Sequence, residues 1–90
     1  MTKEEFKKKI KEEKPDIGGW DIEPDFLTDA DSVIGCYYNK QEKKWHIYET
    51  NERGYEAPIF KADNEEEAYD RLYDLVMIHK RLTERIKNDN

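Results

Sequence analysis

Five acids, Asp21, Glu23, Asp25, Asp29 and Asp31, fall within eleven residues. Alternating carboxylates on a tight turn are the donor set that a hard cation such as calcium takes. The spacing rejects that chemistry. Counted from Asp21, a calcium loop needs glycine where Phe26 stands and a bidentate glutamate where Ser32 stands, and Pro24 stiffens the turn. A solvated or partner-binding acidic loop is the better reading. Cys36 with His46 or His79 is the second candidate, as a thiolate-imidazole pair or half a zinc site. Structural zinc wants four ligands at close spacing, and a reactive thiolate wants an electropositive, accessible setting. Cys36 instead sits among apolar neighbours, so it is expected to be a small buried hydrophobe, with His79 hydrogen-bonded at the edge of the core. No Ser/His/Asp set, glycine-rich phosphate loop or metal motif occurs, so neither catalysis nor a cofactor is expected.

The elements that must position these residues follow from periodicity. Residues 2–13 are strong helix formers with Thr2 placed to cap and Phe6 and Ile10 one turn apart, and Pro15 ends the run. Residues 15–31 contain Gly18, Gly19 and Pro24, which break both periods, and predict an ordered loop pinned to the core by Ile17, Trp20, Ile22, Phe26 and Leu27. Three β-rich runs follow, SVIGCYYN, KWHIYET and YEAPIFKA, separated by KQEK and NERG. If Tyr38 faces Trp45, then Ile34, Cys36, Tyr38, Trp45 and Ile47 share the core face, and Tyr37, His46 and Tyr48 share the other. That second face has two readings: exposed aromatic anchors for a partner, or a surface over which the 15–31 loop folds, bringing Trp20 or Phe26 onto it. Gly54 suits a left-handed turn position. The loop parity leaves either Ile59 or Phe60 pointing inward, and Pro58 makes its strand an edge or a bulged one. Asp63 or Asn64 caps a long helix whose stripe is Ala68, Leu72, Leu75, Val76, His79, Leu82 and Ile86. The expectation is one α+β domain over residues 1–90, ordered αβββα, a three-stranded antiparallel meander with a short N-terminal and a long C-terminal helix.

Charge narrows the function classes. The chain of 90 residues carries a formal charge of -6, and residues 15–31 alone hold six acids and no base. No apolar run approaches the roughly 18 residues of a membrane span, and no secretory leader is recognised, so a cytoplasmic protein with no membrane partner is expected. A single cysteine fits a reducing compartment. The αβββα order resembles double-stranded RNA-binding domains, but there the last helix begins with lysines, whereas here it begins with Glu65, Glu66 and Glu67, so nucleic acid is not expected either. Lys7, Lys8, Lys9 and Lys11 are interleaved with Glu4, Glu5, Glu12 and Glu13 and read as a solvated helix face.

Residues 31–76 carry an I-G-C-Y-Y strand, a lysine-rich turn, W-H-I-Y-E-T, then E-R-G before a strand and an acidic-capped helix. This segment resembles small α+β immunity proteins of bacterial polymorphic toxin systems, with the acid-arginine pair and tryptophan of that pattern carried by Glu52, Arg53 and Trp45. The resemblance implies a cytoplasmic inhibitor that binds the catalytic domain of a cognate toxin without chemistry of its own. Asp21, Glu23, Asp25, Asp29 and Asp31 would then meet a cationic cleft, with Tyr37, His46, Tyr48, Glu52 and Arg53 as further candidate contacts. The alternative is a small regulatory or adaptor protein binding an endogenous cytoplasmic partner.

Overall fold

The computed structural model describes residues 1–51 and 56–88, in the order α1 (Lys3–Glu13), β1 (Asp21–Glu23), β2 (Val33–Asn39), β3 (Lys44–Thr50), β4 (Glu56–Ala62) and α2 (Glu65–Asn88). The chain is α+β, but its sheet has four strands, ordered β1-β2-β3-β4, rather than three. Strands β2, β3 and β4 form the antiparallel meander, and β1 joins parallel to β2, with Asp21 opposite Val33 and Glu23 opposite Gly35. The acidic stretch is therefore partly an edge strand. Three residues between glycines and a proline are too few to show a period of two, which is why the sequence hid it.

Local chemistry sets each boundary. Thr2 Oγ1 accepts the Glu5 amide at 3.2 Å while the Glu5 carboxylate accepts the Thr2 amide at 2.9 Å, a complete capping box for α1. Asn64, not Asp63, starts α2, its Oδ1 accepting from the Glu67 amide at 2.8 Å. Tyr38 faces Trp45 as expected, and Asn39 Oδ1 closes the turn by accepting the amides of Gln41 and Glu42, each at 3.0 Å. Between β3 and β4 the register shifts, so that Ile47 faces Phe60 but Tyr48 faces Pro58, and Ile59 becomes the extra residue of a bulge. The open parity is thereby resolved: Phe60 packs against the core and Ile59 is 49% exposed. Pro58 lies on an outer, bulged strand, where its missing amide is tolerated. Gly54, with Glu52 and Arg53, lies outside the described residues.

Ile34, Cys36 and Ile47 from the sheet meet Phe6 of α1 and Ala68, Tyr69, Leu72 and Val76 of α2 in one buried cluster. Trp45 is only half-buried, against Tyr69 and Tyr38, and Tyr38 is 43% exposed, so these two close the margin of the core instead of filling it. The α2 stripe behaves in two halves. Leu72 and Val76 are fully buried, whereas Leu82 is 48% and Ile86 68% exposed. Twenty-four helical residues rise about 36 Å while a seven-residue strand spans about 23 Å, so the helix outruns the sheet it covers.

Candidate functional site

The connection between β1 and β2 is short for parallel neighbours, residues 24–32, and carries no helix. Two tyrosines hold it. Tyr48 Oη donates to the Phe26 carbonyl at 2.8 Å and accepts from the Thr28 amide at 3.3 Å, and Tyr69 Oη donates to the Pro24 carbonyl at 2.6 Å. Gly35 makes room for the first of these, because a Cβ there would stand 2.4 Å from the Tyr48 ring. Burial pushes the Tyr48 hydroxyl up to about 12 and the Tyr69 hydroxyl higher still, so both stay protonated donors.

The three residues expected on the outer sheet face are together but not open. Tyr48 is fully buried and His46 is 6% exposed, leaving Tyr37 half-buried, its ring edge-on to both. Of the two readings of this face, Tyr48 fits the second: the 24–32 connection covers it. It does so with main-chain groups, while Trp20 sits on His79 at 4.6 Å and Phe26 points to solvent, 59% exposed. A polar chain runs along the remainder of the face, from the Tyr37 hydroxyl to His46 Nδ1 at 3.1 Å, from His46 Nε2 to Glu42, and from Glu42 to Lys61 at 3.1 Å. This ties the β2–β3 turn to β4. On the core side, His79 Nε2 meets Glu49 at 2.5 Å, the hydrogen-bonded position at the core edge expected of it.

The five acids divide. Glu23 accepts the Asp25 amide at 3.1 Å, and Asp25 ion-pairs with Lys7 at 3.0 Å and Lys3 at 3.3 Å, which ties α1 to the connection, while Lys8, Lys9 and Lys11 lie on the exposed face expected of them. Lys7, then Lys3, holds the Asp25 carboxyl below the usual range. Asp21, Asp29 and Asp31 are exposed and make no ion pair among the described residues. Asp29 shares an open depression with Leu27, Thr28 and Glu56. Glu56 was missed in the sequence because it falls on the side of the second hairpin whose parity was open. Phe26 and Leu27, expected to help pin the loop, are 59% and 44% exposed, because bulk apolar residues in a broken segment give no facing signal.

Cys36 is fully buried and burial pushes its thiol up to about 12, far from a thiolate at neutral pH. Among the described residues no three His, Cys, Asp or Glu side chains gather as a metal site requires, and no helix is long and apolar enough to cross a membrane. No family model matches the chain, and neither a curated protein nor a solved structure matches it.

Proposed function

We propose that the chain is an inhibitory binding protein of the immunity type, acting without catalysis on a cationic toxin domain through the β1–β2 connection. The observation that carries this reading is the pair Phe26 and Leu27, exposed on a connection held in place from beneath and edged by Asp29 and Glu56, with Asp31 nearby in the chain. Apolar side chains held rigidly in an acidic rim supply desolvated contact at little entropic cost, and the rim steers a basic partner to it. Asp25 is excluded from the rim because Lys3 and Lys7 already occupy it. The motif resemblance through Trp45, Glu52 and Arg53 supports the same reading and names the class of partner.

The test is stopped-flow association, across a salt series, with a toxin domain encoded by a neighbouring gene, where one is found. The Asp29→Lys/Asp31→Lys variant is expected to associate about tenfold more slowly and to lose most of the salt dependence. Phe26→Ala/Leu27→Ala is expected to leave association unchanged and to speed dissociation about tenfold or more. Unaltered rates in both variants would remove the connection as the binding surface, and a neighbouring gene encoding a pathway component would favour the adaptor reading.

A further inference from the structure

Tyr37 of β2 and His46 of β3 stand directly opposite each other across the sheet, and the polar chain they begin has a direction. Lys61, then His46, holds the Glu42 carboxyl below its usual range, so at neutral pH Glu42 can only accept. His46 Nε2, bonded to that carboxylate, is therefore the nitrogen that carries the proton. In the neutral imidazole this leaves a lone pair on Nδ1, which at 3.1 Å accepts the Tyr37 hydroxyl. A carboxylate orients an imidazole, and the imidazole accepts a hydroxyl proton: that order of groups makes a hydroxyl nucleophilic. The Tyr37 ring is steadied edge-on against His46 at 5.2 Å and Tyr48 at 5.8 Å. The other described phenols are placed differently. Tyr48 and Tyr69 are buried and donate to main-chain carbonyls. Tyr73 donates to Glu13, and that hydrogen bond pushes its hydroxyl up. Tyr38 is more exposed than Tyr37, but its hydroxyl bonds to no base among the described residues. Exposure alone favours reaction at Tyr38, and the hydrogen-bonded chain favours Tyr37.

We propose that Tyr37 is an acyl-acceptor site, its hydroxyl activated by His46 and Glu42 to attack the carbonyl carbon of a small activated acyl donor. Tyr37 Oη bonds to the acyl carbon, and the bond from that carbon to the leaving group breaks. The phenolic proton passes to His46 Nδ1 and from there to the departing group, while Glu42 stabilises the transient imidazolium. The product is an aryl ester on the outer face of the sheet, a modification and not a turnover. A base within hydrogen-bond reach contributes roughly 10²–10⁴-fold to such a transfer. The half-buried ring suits a small donor. This assignment stands apart from the immunity reading, because none of Tyr37, His46 and Glu42 lies on the β1–β2 connection.

The test is acetylation of the full chain by N-acetylimidazole at neutral pH, read by peptide mass spectrometry. Release by hydroxylamine separates acetyl esters of tyrosine from acetylated lysine. Tyr37 should be acetylated about tenfold or more faster than the more exposed Tyr38. Glu42→Gln, at an exposed position, and His46→Gln, which keeps a hydrogen-bonding side chain but no base, should each slow Tyr37 about tenfold. Both should leave the Tyr38 rate unchanged, a pattern that a merely structural hydrogen bond would not produce. Circular dichroism checks that the variants fold, and if buried His46 proves irreplaceable, Glu42→Gln alone decides. Acetylation of Tyr38 ahead of Tyr37, or a Tyr37 rate untouched by Glu42→Gln, would overturn the proposal.

Discussion

At the scale of single residues, the fold depends on a few positions where space or a hydrogen bond has no substitute. Gly35 lies under the Tyr48 ring, so Gly35→Ala should cost about 1–3 kcal/mol in urea denaturation, because the ring that must move is wedged under the connection. Tyr48→Phe keeps the ring and removes the hydroxyl that joins the Phe26 carbonyl and Thr28 amide. It should cost about 1–2 kcal/mol and speed amide exchange at Thr28 well before that of β3. Cys36 should resist a thiol reagent in the folded protein at neutral pH and react only as fast as the chain unfolds. The sequence made Cys36 and His79 legible because mid-strand and stripe positions carry their environment with them. Tyr48 stayed open between two readings, since its hydroxyl meets main-chain groups of residues 26 and 28, which leave no side-chain pattern.

At the scale of elements, what was legible is what repeats. The β2–β3 hairpin, the α1 cap and the inner α2 stripe follow from periods and turn chemistry, and the structure reproduces them residue for residue at Tyr38, Thr2 and Leu72. What escaped was β1, too short to repeat, and the point at which α2 leaves the sheet, since a stripe records which side of a helix is apolar but not where its partner ends. That boundary separates two otherwise equivalent leucines. Leu72→Ala should cost about 2–5 kcal/mol, while Leu82→Ala should stay within about 1 kcal/mol in urea denaturation. Equal losses would place the end of the core one turn or more further along α2.

At the scale of the whole molecule, the sequence displayed the net charge of -6 and its concentration in residues 15–31, but not which acids are spent internally. Asp25 is held low by Lys7 and Lys3, Glu42 by Lys61 and His46, and Asp16 by Lys87 and the Gly18 amide. A carboxylate whose folded pKa lies below its unfolded one stabilises the fold above the unfolded value and loses that contribution as pH falls through the folded one. The chain should therefore weaken in acid below about pH 4. Asp25→Asn should be less stable than wild type at neutral pH, by less than about 1 kcal/mol given its exposure, and urea titrations should show the gap closing as the medium is acidified. A gap that persists at pH 2 would mean the ion pairs with α1 contribute nothing.

The way the β1–β2 connection is fastened also bears on how such a protein can change. Tyr48 and Tyr69 hold residues 24, 26 and 28 by carbonyl and amide groups that every residue type but proline supplies in full. The side chains at 26, 27, 29 and 31 are thereby released from any duty to the fold. New residue types at those four positions should leave the melting temperature within a few degrees while rewriting what the surface recognises. The connection is thus a cassette, open to diversification between lineages or in a library, mounted on a scaffold that does not register what it carries.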